Sequence, residues 1–148
     1  MKQSIKEFNE CLESLKHFLP ASQQFALKHI YKTEESIYAV EIVKRLTTII
    51  ESMPVSYETE EIPESEQIVY LHYFYGGSDW YIIEKDKDNN EDDLDVDGQL
   101  QAFGYVILNG DLRGSEWGYI SIKELIDMDI VELDFHFEPI HFSALGLK

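Results

Sequence analysis

The sequence predicts an α+β fold: N-terminal helices, then an antiparallel sheet of about five strands, with one short helix before the last strand. Three observations predict it. Apolar residues recur with helical period through residues 1–50. From residue 67 the pattern changes to aromatic and β-branched runs, the composition of strands. Short glycine-bearing turns separate those runs.

The elements follow in order. Ile5, Phe8, Leu12, Leu15 and Leu19 lie on one stripe of a 3.6-period helix, which Pro20 closes because proline cannot continue the backbone ladder. Residues 21–32 predict a second helix with Phe25 and Ile30 facing inward. A third is expected from Glu34 to Ser52, with Ala39, Val43, Leu46, Ile50 and Met53 in register and Lys44 and Arg45 on a solvated face. These helices form an extension over residues 1–53, and an acidic sheet domain over 54–148 follows, either packed together or standing apart. Residues 54–66, bounded by Pro54 and Pro63 and rich in glutamate, read as a linker.

Gln67 to Tyr75 predicts the first strand, and Gly76-Gly77-Ser78-Asp79 turns the chain into a second, Trp80 to Lys85. Residues 102–108 and 116–120 predict the third and fourth. The first three are apolar on both faces, as central strands covered on both sides are. Ser121-Ile122-Lys123-Glu124 is a capping box that opens a short helix to Asp129. Val131 to Phe137 alternates strictly, which predicts a last strand with one buried and one acidic face.

At 148 residues and 44% hydrophobic composition the chain is long enough to bury a core of its own. Its charge is lopsided, with 29 acids against 12 bases. Residues 1–50 hold seven bases and six acids, and residues 51–148 hold five bases and 23 acids, so the whole excess belongs to the second part. Such a field repels nucleic acid and attracts cationic partners, which argues against direct nucleic-acid binding. One cysteine excludes an intramolecular disulfide and a multi-cysteine zinc site. No apolar run approaches the ~18 residues of a membrane span, and the opening Met1-Lys2-Gln3-Ser4 is unlike a signal peptide, so a cytoplasmic protein with no membrane partner is expected.

Reactive chemistry finds few candidates. No G-x-S-x-G elbow, phosphate-binding glycine loop or H-E-x-x-H motif occurs, and Cys11 sits on an apolar helical stripe. No catalytic residue and no cofactor are therefore expected. Two metal sets compete with simpler readings. Asp93-x-Asp95-x-Asp97-Gly98 reproduces the first half of a calcium loop, but Gly104 stands where a bidentate glutamate is required, and a solvated hairpin loop is the simpler reading. Asp134, His136 and Glu138 point one way on the expected last strand, with His141 nearby, as a transition-metal set could or as an acidic strand does by chance.

Met53-Pro54, Tyr57, Glu60, Ile68-Val69-Tyr70 and Asp79-Trp80-Tyr81 with Glu84 and Asp86 form one group of marks. Phe103-Gly104-Tyr105-Val106, Glu116-Trp117-Gly118-Tyr119 with Ser121 and Glu124-Leu125, and Glu132 to Pro139 complete it. Across about 53–140 these residues resemble a small domain family of unknown function carried by bacterial plasmids, conjugative elements and phages. The resemblance implies a mobile-element origin, hence a bacterial host cell, and supplies no reaction or site residues. The helical extension and the acidic stretch 86–98 depart from the family's pattern.

Together these readings lead to a non-enzymatic acidic binding or inhibitor protein. Its docking surface comprises Glu58, Glu60 and Glu61 of the linker, Asp86, Asp88, Glu91, Asp92, Asp93, Asp95 and Asp97 of the loop, and Glu132, Asp134 and Glu138. Carboxylates on alternate strand residues recur about every 6.6–6.8 Å, a scale comparable with nucleic-acid charge spacing. A basic host enzyme of nucleic-acid processing, such as a restriction or CRISPR effector, is the expected partner. A metal-binding module or hydrolase, with calcium as the ion of the loop, is one alternative. A homodimer joined through the N-terminal helices is the other.

Overall fold

In the computed structural model, which describes residues 2–92 and 97–147, three helices open the chain: α1 (Lys2–Ser14), α2 (Ala21–Tyr31) and α3 (Ser36–Ser52). α1 stops before Pro20 because the Ser14 hydroxyl donates to Cys11 O at 2.6 Å and the next amides take tight turns, Phe18 N bonding Leu15 O. Leu15 and Leu19 remain buried beyond its end. Phe25, expected inward, is 73% exposed, because Leu27 takes the buried face and lies about 200° away around the helix. Along α3, Ala39, Ile42, Val43, Leu46, Ile49 and Ile50 form the buried stripe. Lys44 is solvated as expected. Arg45 is not: its guanidinium donates to Phe135 O and Phe137 O, both at 2.6 Å.

The sheet is built from β1 (Ile68–Val69), β2 (Leu71–Tyr75), β3 (Ser78–Glu84), β4 (Ala102–Ile107), β5 (Glu116–Ile120), β6 (Glu132–Leu133) and β7 (Ile140–His141). Five strands pair antiparallel in the order β5-β4-β3-β2-β6, and β1 pairs with β7 in a separate ribbon. α4 (Ile122–Asp127) precedes β6, with the Ser121 hydroxyl capping it through Glu124 N at 3.1 Å. The fold is thus α+β with N-terminal helices. No helix among the described residues is long and apolar enough to cross a membrane.

Helices and sheet share one core. Leu71, Tyr73, Ile82, Ala102, Ile120 and Leu133 bury one sheet face against the stripes of α1, α2 and α3. Polar bonds fix the seam. Gln23 of α2 clasps Leu133 through both backbone groups, Nε2 to its O at 2.9 Å and Oε1 from its N at 2.8 Å. The Tyr73 hydroxyl donates to Phe18 O at 2.6 Å.

Complete burial pushes the Tyr73 phenol far above its ordinary value. A raised folded value means that its contribution to stability is complete below the unfolded value of about 10. Above that pH the unfolded chain loses a proton that the folded chain keeps, so stability falls by about 1.4 kcal/mol per unit from this group alone. Urea unfolding at pH 9 to 11.5 should show the decline, and Tyr73→Phe should flatten it by that slope. An unchanged slope in the variant would show that other groups control alkaline unfolding.

Three expectations are corrected. Residues 131–137 do not form one strand; pairing stops at Leu133 because the Asp134 carboxylate accepts His136 N at 3.0 Å and turns the chain, and Arg45 pins the carbonyls beyond. Glu132, Asp134 and Glu138 therefore form no row at strand spacing. The 67–75 run divides at Tyr70 into β1 and β2. Segment 54–66 is packed rather than a bare linker: Lys85 N bonds Pro54 O at 3.0 Å, Val55 bridges Lys85, and Thr59 is buried.

Candidate functional site

The second sheet face is aromatic. In β4 and β5 the pairs Phe103↔Tyr119 and Tyr105↔Trp117 place four rings on it, and the turn after β7 sets Phe142 at 4.9 Å from Tyr105 and 4.7 Å from Trp117. A bulge controls what β3 adds. Ile82 pairs Gly104, but the next partner of β4, Phe103, pairs Glu84, leaving Ile83 as the extra residue. In regular register Glu84 would face the helices. The bulge instead sets it on the aromatic face.

There Glu84 is 5% exposed, and segment 57–59 wraps around it. Its carboxylate accepts Tyr57 N and Thr59 N, each at 2.9 Å, and the Thr59 hydroxyl. Tyr57 holds φ 71°, a left-handed conformation strained for a bulky residue and costing on the order of 1–3 kcal/mol. Gln67 props the same segment, its Nε2 donating to Thr59 O at 2.9 Å and Ile62 O at 3.0 Å.

Between this segment and the sheet lies a cavity of about 310 Å³. Tyr57, Phe103, Trp117 and Tyr119 supply its rings, and Glu60, Glu64 and Glu84 its carboxyl groups; Thr59, Ile62, Gln67 and Ile83 complete the lining. Hydrogen bonding to the Tyr57 side chain, together with partial burial and the charges of Glu60 and Glu84, holds the Tyr119 phenol above its ordinary range. Of these residues only Glu60 belongs to the expected surface. A glutamate within the apolar run of β3 was the signal for Glu84, since such a charge needs internal partners.

The acidic loop is anchored at its base. Asp86, expected on the surface, is 8% exposed; its carboxylate accepts Leu100 N and Gln101 N at 3.1 Å and Asn90 Nδ2 at 3.2 Å. It organises the loop and leaves the docking set. Buried Gln99 ties the same ends, accepting Asp86 N at 2.7 Å and donating to Asn89 Oδ1 at 2.8 Å. Glu91 and Asp97 approach the two ring nitrogens of His17 at 3.1 and 3.6 Å, joining the loop to the helical layer. Asp93 and Asp95 lie outside the described residues, and with them most of the expected calcium set.

Glu58, Glu60, Glu61, Asp88, Glu91, Asp92, Glu132 and Glu138 are exposed. Asp134 is half-buried, 3.3 Å from His72 Nδ1, while Asp79 lies 2.7 Å from His72 Nε2 and Tyr81 stacks on the ring at 4.6 Å. Burial, then the charges of Asp79 and Asp134, raise the Tyr81 phenol. This Asp–His–Asp bridge joins β2, β3 and the turn after β6, and residue spacing did not reveal it. The expected metal set disperses for the same reason. Asp134 turns to His72, His136 Nε2 meets the Tyr38 hydroxyl at 3.1 Å, and His141 Nδ1 lies 3.3 Å from Glu66 O. Among the described residues no group of three His, Cys, Asp or Glu side chains is placed to hold one metal ion.

Comparison with family models, with curated proteins and with solved structures found no match.

Proposed function

We propose that this chain is a non-enzymatic binding protein whose acidic surface docks onto a basic partner, the nucleic-acid groove of a bacterial host enzyme being the partner class. The mobile-element resemblance makes a restriction or CRISPR effector the first candidate. One observation carries the reading. Among the described residues only Glu13 with Lys16 and Asp127 with Lys123 form carboxylate pairs with lysine or arginine. The exposed Glu58, Glu60, Glu61, Asp88, Asp92, Glu132 and Glu138 thus keep no lysine or arginine partner among the described residues and are left for an outside cation to meet. Charge density, rather than a regular strand-borne spacing, supplies the attraction, which steers encounter and weakens as salt screens it.

Affinity capture from bacterial lysate at two salt concentrations tests this. A nucleic-acid enzyme retained at about 0.05 M salt should be lost tenfold or more at about 0.2 M. Neutralising Glu58, Glu61, Asp88, Asp92, Glu132 and Glu138 to Gln or Asn should abolish capture at both. Partners retained equally at both salts and by the neutralised variant would refute charge-driven docking.

A further inference from the structure

We propose that the cavity under segment 57–67 is a binding site for an alkylated ammonium group, the headgroup chemistry shared by choline-like small molecules and methylated lysine side chains. Three independent features point to this class. Tyr57, Phe103, Trp117 and Tyr119 present aromatic rings, whose negative faces attract cations. Glu60, Glu64 and Glu84 supply negative charge; none of the residues lining the cavity is basic, and Glu84 has no ion pair among the described residues. Gln67, 6% exposed and part of the lining, keeps its Oε1 without a hydrogen-bond partner among the described residues. Most buried polar atoms are satisfied, so an orphan acceptor beside a cavity adds to its preference for positive ligands.

Alkylation is the feature that fits best. A bare ammonium is strongly hydrated, and four rings beside a Glu84 carboxylate already bonded to Tyr57 N, Thr59 N and the Thr59 hydroxyl replace only part of its hydrogen bonds. Methyl groups remove that demand and pack against rings while the charge persists. An anion meets three carboxyl groups, and a hard metal ion would need oxygen ligands where rings stand. Glu60 is the one residue the site shares with the docking surface, and the neutralised set that tests docking leaves it intact, so either reading can fail alone.

The test uses the full chain with Trp80→Phe, which leaves Trp117 as its sole tryptophan. Trp80 lies on the helix-facing side of the sheet, away from the cavity. Choline and an Nε-trimethyllysine amide are titrated against Trp117 fluorescence, beside 3,3-dimethylbutanol, the neutral isostere of choline, and arginine amide. Both alkylated cations should give saturable shifts at least tenfold tighter than the neutral isostere. Tyr119→Ala should weaken them by about tenfold, the scale of one cation–π contact. Tyr119 is 57% exposed, so that variant should keep its melting temperature. Glu60→Gln with Glu64→Gln should weaken them severalfold, whereas Glu10→Gln, exposed and outside the cavity, should not. Tighter binding of choline identifies a small-molecule source, and tighter binding of the lysine derivative identifies a protein source. Equal binding of the neutral isostere, preference for arginine amide, absence of saturation, or indifference to Tyr119→Ala would each overturn the proposal.

Discussion

Replacing Gly104 with alanine should lower stability by about 3 kcal/mol or more, a melting-temperature drop near 10 °C for a chain of this size. A Cβ built at Gly104 would lie 1.9 Å from Tyr81 O and 2.9 Å from Tyr81 C, both backbone atoms of the neighbouring strand. Such an overlap cannot be relieved by a side-chain rotation. β4 is hydrogen-bonded on both sides, to β3 and β5, so moving it away from Tyr81 disturbs two ladders. The bulge at Ile83 lies one pair further along, which couples the strain to the position of Glu84. Gly118, paired with Gly104 across β5, provides the control. Nothing lies within 4 Å of a Cβ there, so Gly118→Ala should be neutral or gain up to about 1 kcal/mol through a less flexible unfolded chain. Paired urea melts decide the matter. A Gly104→Ala protein within 1 kcal/mol of the parent would mean that the strands yield at this crossing.

Gly104 also shows what was legible before the structure. It lies in β4, which the run 102–108 predicted, and the helices, β5 and the Ser121 cap were readable for similar local reasons. Period, capping and turn residues act over a few positions, so a single sequence displays them. What escaped was set by bonding partners that a periodic reading leaves out, most of them far along the chain. Arg45 is a surface residue by helical period until Phe135 and Phe137 offer it carbonyls. The alternation from Val131 to Phe137 is a strand pattern until Asp134 bonds His136 N, and Asp86 is one acid among many until the Leu100 and Gln101 amides converge on it. The candidate cavity combines both situations. Its rings were visible as composition, but its geometry depends on one extra residue in β3 that no periodicity encodes.

The second large effect is expected at Glu84, where that extra residue has its consequence. Truncating it to alanine removes the acceptor of Tyr57 N, Thr59 N and the Thr59 hydroxyl. Thr59 is buried, so its donors have no solvent to turn to, and each unsatisfied group costs roughly 1–3 kcal/mol. Against this stands the removal of a buried charge, which by itself favours the variant. Donor loss should dominate, because three bonds disappear while the carboxylate was already well solvated by them; a net loss of about 3 kcal/mol is expected. The strained φ of 71° at Tyr57 gives the direction of the response, since the segment loses its reason to hold that conformation. Amide exchange at Tyr57 and Thr59 should accelerate by two orders of magnitude or more, about 2.7 kcal/mol of lost protection, while amides of β4 follow only the global change. Glu84→Gln separates charge from bonding. It keeps one acceptor oxygen but turns an NH₂ toward a donor, so it should fall between parent and alanine variant in stability. Were Glu84→Ala to protect the Tyr57 and Thr59 amides as well as the parent does, packing on the aromatic face alone would hold the segment, and the carboxylate's role would lie entirely in the charge it gives the cavity.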